Sequence, residues 1–425
     1  MSDALALLGG PKSISTSFPR YNSIGKEEAE AVKSVMETGI LSKFLGCWEL
    51  PDFYGGEKVQ QLERNWAEYF RVKHAVTVNS NTSGLIAALG AIGIEPGDEV
   101  IVSPWTMSAS ATSILVWNAI PVFADIEDET FNLDPVAIEK NITPQTKAII
   151  LPDIFGHAAQ LDEIMEIARY HNLKVIEDSA QSPGAMYKGR YVGTIADIGV
   201  FSLNYHKHIH TGEGGVCVTN DSTLAERMQL IRNHAEACVE DKGVPNISNM
   251  IGFNLRMTEI EAAIGIEQLK KLRGLVEERI HAADRLTAGI QNLKGLRPPV
   301  VHENCTHVYY VYPILIDEKI TGVSRDRIAE ALRAEGVPGV AIGYQNIHLF
   351  PIYQKKIAYG NSGFPWNSEF CKRDVSYKKG ICPVAECFQD KRYMGIELCL
   401  HRYVDAEIDL VIRSFQKVWE DLGKL

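Results

Sequence analysis

No apolar run in this chain approaches the roughly 18 residues that would suggest a membrane helix. The first ten residues, Met-Ser-Asp-Ala-Leu-Ala-Leu-Leu-Gly-Gly, carry Asp3 and lack the basic start and long apolar stretch of a secretory signal. A cytoplasmic protein with no membrane partner is therefore expected. The eight cysteines are scattered and form no C-x-x-C pair, so in a chain of this length they read as reduced thiols rather than as a disulfide framework. Basic charge is also short: 43 Lys+Arg against 54 Asp+Glu gives a formal net charge of −11. That balance argues against a nucleic-acid partner, because phosphate neutralisation needs clustered Lys and Arg. A small phosphorylated ligand held by backbone amides stays compatible with it. What the chain does have is core: 425 residues, 45% hydrophobic and 23% charged, the composition of a globular protein of two or three domains.

Between about residues 57 and 235, helix-like and strand-like segments alternate. Glu57–Phe70 carries Val59, Leu62, Trp66 and Phe70 at helical spacing. Ala75–Val78 is a short apolar run, followed by Asn79-Ser80-Asn81-Thr82-Ser83 and a helical stretch to Ile92. Further strands are expected at Glu99–Ser103, Pro121–Ile126, Ala148–Leu151, Lys174–Glu177, Ile198–Leu203 and Val216–Thr219, with a helix at Asp162–His171. Such alternation predicts an α/β fold with a mostly parallel sheet flanked by helices. Ligands then bind beyond the carboxyl ends of the strands, which singles out residues 79–83, 104–108, 178–182 and 202–215. One long helix, or two in series, is expected from Thr258 to about Asn292. A smaller α+β unit follows, with an extended stretch at Val308–Ile316, helices at Arg325–Glu335 and Asp405–Leu422, and a surface loop at Asn361–Lys379. The expected division is residues 1–290, including an N-terminal arm, and 291–425.

Three residues in those loops carry chemistry as a set. Lys207, in Ser202-Leu203-Asn204-Tyr205-His206-Lys207, precedes a Gly-Glu-Gly-Gly turn. It suits a Schiff-base lysine if neighbours lower its pKa, although alone it reads as a solvated surface residue. Asp178 ends an apolar run and can pair with a protonated pyridine nitrogen, or simply cap a turn. Thr82 and Ser83 open a helix after a strand, where free amides and hydroxyls make a phosphate seat; capping explains them equally well. His206, His208 and His210 alternate around the lysine. On an extended segment they would share a face, as metal ligands do, but hydrogen-bonding or substrate-contacting histidines are the expectation, with no metal.

In order, these motifs resemble the DegT/DnrJ/StrS-type pyridoxal-phosphate sugar aminotransferases, on the aspartate-aminotransferase fold (fold type I). The likeness runs from Gly9-Gly10-Pro11 through Glu99–Val102 and Pro121–Phe123 to Pro383–Glu386. It implies pyridoxal 5′-phosphate as cofactor, cycling through the pyridoxamine form, with Lys207 as the Schiff-base lysine and Asp178 at the pyridinium nitrogen. Gln181 would lie beside the ring hydroxyl, and Thr82, Ser83 and Ser202 would hold the phosphate, with Asn204 also on the cofactor. Asn254 matches an asparagine offered from a neighbouring subunit, which implies a homodimer with shared sites. His206 and His348 are expected on the substrate side. The implied reaction moves an amino group, with L-glutamate as donor, to a keto sugar, nucleotide-linked by default. Keto-inositols and free keto sugar acids are alternative acceptors, and a pyridoxamine-phosphate-dependent sugar dehydratase is the alternative enzyme; the intact lysine argues against the latter. A retained fold serving only as a binding protein is a further alternative. The chain departs from the family at Asn81, where a glycine is usual, and at Met107, where an aromatic residue normally stacks on the ring. Either Met107 covers the ring through its sulfur, or the loop shifts to bring Trp105 over it; Trp105 is the expected choice. Phe44–Gly56 and Asn361–Lys379 look like added segments.

Overall fold

The computed structural model describes residues 4–425. In chain order the strands are β1 (His74–Val78), β2 (Glu99–Val102), β3 (Ile120–Phe123), β4 (Thr146–Pro152), β5 (Lys174–Asp178), a short hairpin β6 (Met186–Tyr187) and β7 (Arg190–Tyr191), β8 (Ile198–Ser202) and β9 (Gly215–Thr219). The main sheet has seven strands in the order β1-β9-β8-β5-β4-β2-β3. The pairs β2–β3, β2–β4, β4–β5 and β5–β8 are parallel, and β9 is antiparallel to both β8 and β1. These strands are buried nearly throughout, as sheets covered on both faces require. Their carboxyl ends bring Pro152, Asp178 and Ser202 to one edge of the sheet.

The helix Glu57–Phe70 buries Val59, Leu62, Trp66 and Phe70, the four positions that its apolar spacing marks. The stretch from 258 on is one unbroken helix, Glu259–Ile290, opened by a capping box in which the Thr258 hydroxyl and the Glu261 carboxylate close on each other's backbone. Ala262, Ile266, Leu269, Leu272 and Val276 join the core around the main sheet. Ala282, Ala283, Leu286 and Ile290 join a second core, so this helix ties the two together.

That second core surrounds a four-stranded antiparallel sheet in the order β10 (Leu296–Arg297), β11 (Tyr312–Ile316), β13 (Tyr393–Ile396), β12 (Val340–Ile342). The helices Arg325–Ala334 and Asp405–Glu420 cover it. Leu5, Ile14 and Phe18 of the N-terminal arm pack here too, and Glu335 accepts from the amides of Ala6 and Ser13.

Two expectations are corrected by the packing. The extended stretch at 308–316 forms a strand only from Tyr312 onward, because Val308 and Tyr310 bond instead to the carbonyls of Gly156 and Phe155. The segment Asn361–Lys379 has neither helix nor strand but is not merely a surface loop. It inserts Trp366, Val375 and Tyr377 into the main core, where the Tyr377 hydroxyl donates to the carbonyl of Pro121. Phe44 and Phe53, in the other added segment, are likewise buried.

Candidate active site

The carboxyl edge of the main sheet opens into a cleft, where a sheet of this kind places a ligand. Its wall includes Asn81, Thr82, Met107, Asp153, Asp178, Gln181, Ser202, Asn204, His206 and Lys207. Residues from five separate stretches of sequence therefore meet where the strand-end rule places a ligand.

Lys207 sits on a loop pinned at both ends. Leu203 donates to the carbonyl of Gly214 and Thr211 to that of Leu203, while Lys207's own amide caps onto the carbonyl of Asn204. The Tyr21 hydroxyl donates to the carbonyl of His208 at 2.6 Å, and the His208 Nε2 proton goes to the carbonyl of Val308 at 2.8 Å. The amine itself is buried, 4.2 Å from the centroid of the Tyr310 ring. Burial lowers its pKa to about 8, against the upward pull of Cys399 and of the Asp178 carboxylate. This lysine carries a sizeable neutral fraction near physiological pH, the condition for a nucleophilic amine.

Asp178 is the last residue of β5 and is buried on the cleft wall. Desolvation raises its pKa, opposed by a 2.7 Å hydrogen bond from the Ser110 hydroxyl and by the nearby Lys207 charge. Asn81 Nδ2 also donates to it at 3.3 Å, and to the carbonyl of Val200 at 3.1 Å. Neutral donors hold the carboxylate in place, and among the described residues no cationic side chain forms an ion pair with it. A buried carboxylate of this kind, facing a cleft, fits a protonated ring nitrogen.

At one end of the cleft lies the start of the helix Asn81–Ile92. Ser80 caps it, its hydroxyl accepting from the amide of Ser83 at 3.1 Å. The amides of Asn81 and Thr82 have no intrahelical acceptor and stand at the positive end of the helix dipole. Gly215 permits this approach: a Cβ there would lie 2.7 Å from the carbonyl of Ser80 and 2.8 Å from the nitrogen of Asn81. Ser202 adds a hydroxyl on the same wall. Free amides, hydroxyls and a backbone-tight glycine at one end, with Asp178 and Lys207 further along the same wall, fit a phosphorylated pyridine aldehyde.

Three expected positions fall elsewhere. Ser83 is spent on the cap, its hydroxyl donating to Asn79 Oδ1 at 2.6 Å, and it does not reach the cleft wall. Trp105 is fully buried (0% exposed) among Tyr344, Phe131, Phe388 and Tyr393. Met107, 55% exposed, lines the cleft instead, so the position-matched residue faces the cleft and the tryptophan is core. His348 is fully buried, paired with Glu386 at 3.0 Å, which removes it from the substrate side. Asn254, expected to serve a neighbouring subunit, is exposed, accepts from Arg256 Nε at 2.7 Å and lies off this chain's own cleft.

Gln181 lines the cleft with both ends engaged, accepting from the amide of Phe155 at 2.8 Å and donating to the Tyr344 hydroxyl at 3.0 Å. Asn204 donates to both oxygens of Glu213 at 2.9 Å. His206 is on the cleft, and burial beside Lys207 lowers its pKa to about 4. His208 and His210 diverge from it: one is fixed to Val308, and the other accepts from the amide of Gly212. Sequence reasoning missed Ser110, Tyr310, Gly215 and the inward turn of Asn81. Only Gly215 had a signal, as the last glycine of the Gly-Glu-Gly-Gly turn.

Residues 23–379 match the sequence model of the DegT/DnrJ/EryC1/StrS aminotransferase family. The chain belongs to this family. Its members are pyridoxal-phosphate-dependent sugar aminotransferases. The chain is 37% identical over 359 residues to the spore coat polysaccharide biosynthesis protein SpsC of Bacillus subtilis (strain 168), covering 83% of this chain and 89% of that relative. It is 38% identical over 303 residues to the GDP-perosamine synthase of Caulobacter vibrioides, covering 70% of this chain and 79% of the relative. Among solved structures, an aminotransferase from Psychrobacter cryohalolentis superposes with a TM-score of 0.80 at 29% identity, covering 96% of this chain and 100% of that one. The two-sheet α/β architecture is that of the fold type I aminotransferases.

Proposed function

We propose that this protein transfers the amino group of an amino acid, L-glutamate in the first instance, to a keto sugar carried on a nucleotide, in the making of an amino sugar for a polysaccharide. The observation that carries the reading is the buried Lys207 amine, lowered to about 8, on the same cleft wall as the buried Asp178 carboxylate. The GDP-perosamine synthase and the spore coat polysaccharide protein among its relatives support the acceptor class and the setting.

Pyridoxal phosphate, when bound, supplies an aldehyde reactive toward amines and a ring that accepts an electron pair. The chain's own residues set up that chemistry. The amides of Asn81 and Thr82, with the Thr82 and Ser202 hydroxyls, bind the phosphate. Asp178 holds a proton at the ring nitrogen, and Ser110 and Asn81 keep its carboxylate oriented. Met107 and Gln181 border the ring, and Asn254 is offered to the phosphate of a partner subunit, so the working unit is a homodimer. Lys207 Nζ is the amine for the aldehyde and the proton carrier. It takes the α-proton of the donor in one half of the cycle and returns a proton to the aminated sugar carbon in the other. His206 stays neutral down to about pH 4, so it can accept a hydrogen bond from substrate without adding charge beside Lys207.

The test is borohydride reduction of the cofactor-loaded protein followed by peptide mapping. The label is expected on Lys207, and a label on another residue, or none, refutes the assignment. Mass analysis of products from a keto-sugar panel with L-glutamate and L-glutamine then identifies acceptor and donor. Formation of a deoxy sugar without nitrogen incorporation would overturn transamination.

A further inference from the structure

A second cleft, of about 500 Å³, adjoins the lysine loop and is lined by Tyr205, His206, Tyr310, Val311, Glu397 and Cys399. His206 stands on both walls, and the Tyr310 ring is the surface over which the Lys207 amine lies. The cleft therefore borders the side chains that surround the reactive amine. Three of its polar groups are unused by the protein. Among the described residues nothing hydrogen-bonds to the Glu397 carboxylate, the Tyr310 hydroxyl or the His206 ring. Glu397 is half-buried at the end of β13, and desolvation raises its pKa with only the charge of His401 opposing. More deeply buried carboxylates in the chain are satisfied: Glu335 and Glu386 each take backbone amides and a cationic or imidazole partner. A half-buried acid without a protein partner, beside a tyrosine and a neutral imidazole, leaves its oxygens open to accept hydrogen bonds from a ligand's hydroxyls.

We propose that this cleft seats the sugar ring of the acceptor, and that Glu397 restricts the acceptor to neutral, hydroxyl-bearing rings and rejects sugar acids. This rests on the aminotransferase reading above. An ionised carboxylate is an acceptor with room for several hydrogen bonds, so it binds vicinal hydroxyls well. Tyr205, Tyr310 and His206 form an aromatic cluster, with ring centroids 4.9 Å apart for Tyr205–His206 and 5.9 Å for His206–Tyr310. Their amphipathic faces suit a ring with apolar C–H faces and polar edges. A carboxylate on the sugar would meet Glu397 as a like charge in a partly desolvated cleft, which is discrimination by repulsion.

Two non-reacting probes that differ only at C6 test this: UDP-glucose and UDP-glucuronate, titrated calorimetrically into the full-length, cofactor-loaded protein. UDP-glucose is expected to bind tighter by about tenfold or more. Glu397→Gln, close in shape, is expected to shrink that preference to within about threefold, mainly by gaining glucuronate affinity. Tyr310→Phe is expected to weaken both probes by a similar factor and leave their ratio in place. A ratio unchanged by Glu397→Gln, or no binding of either probe to the unmodified protein, overturns the proposal. L-Glutamate and L-glutamine are added separately while cofactor absorbance is followed. No spectral change with either donor defeats the aminotransferase reading itself, whereas a normal change with a flat binding ratio defeats only the role of Glu397.

Discussion

Replacing Gly215 by alanine tests the phosphate end of the site with one methyl group. Gly215 begins β9 and pairs with Val78 on one side and Ser202 on the other. Its φ is not left-handed, so alanine fits the backbone and the effect is steric. The added Cβ would lie 2.7 Å from the Ser80 carbonyl and 2.8 Å from the Asn81 nitrogen, where ordinary contact begins at 3.4 Å. Relief therefore demands a shift of about 0.7 Å in backbone rather than in a side chain. That backbone is held by the Asn79 amide on the carbonyl of Leu255 and by the Ser80 cap, so the movement falls on the amides of Asn81 and Thr82. Overpacking of this size costs about 1–3 kcal/mol. If it appears in cofactor affinity, pyridoxal phosphate binds about five- to a hundred-fold more weakly, at 1.4 kcal/mol per tenfold. The assay is titration of dialysed protein with pyridoxal phosphate, with the melting temperature of the cofactor-free protein as the fold control. Gly274→Ala, on the long helix with nothing within 4 Å of its Cβ, should add about 0.5–1 kcal/mol of stability and leave affinity alone. Cofactor binding by Gly215→Ala within about twofold of the unmodified protein would refute the phosphate seat.

Lys207 binds fewer protons folded than unfolded between pH 8 and its ordinary value of 10.5, so stability of the cofactor-free protein rises with pH across that window. Relative to Lys207→Met, the unmodified protein should gain up to about 3 kcal/mol between pH 8 and 10.5 in denaturant unfolding; a difference flat with pH contradicts a buried, lowered amine. Trp105→Ala should cost about 3–5 kcal/mol of stability, whereas Met107→Ala should stay within about 0.5 kcal/mol and act on cofactor affinity; the reverse pattern would restore tryptophan to the ring. Asp178→Asn should leave the melting temperature nearly unchanged and lower turnover by about a hundred-fold or more, and unaltered kinetics would remove the pyridinium pairing.

Much of this was legible in the residues. Apolar runs and their spacing marked every strand of the main sheet to within a few residues, because burial on both faces leaves little choice of side chain. The helix Asn81–Ile92 and the strand-end positions of Asp178 and Ser202 followed from that pattern, and with them the cleft. Trp105 and His348 were misplaced because a residue's loop says nothing about which way it turns. Trp105 finds four aromatic rings to pack on, and His348 finds Glu386, thirty-eight residues further along the chain. Asn81 shows the same limit, since nothing local indicates that its amide reaches Asp178 ninety-seven residues away.

By itself the sequence determined the layered α/β architecture and the loops that carry lysine, aspartate and helix start, since periodicity and turn chemistry are local properties of the chain. Only the tertiary structure decided which of those side chains share a cleft, that Lys207 is dry enough to lose its proton near pH 8, and that Glu397 is left without a protein partner in the neighbouring cleft. Those facts depend on desolvation and on contacts between residues distant in sequence, and both exist only once the two cores have closed.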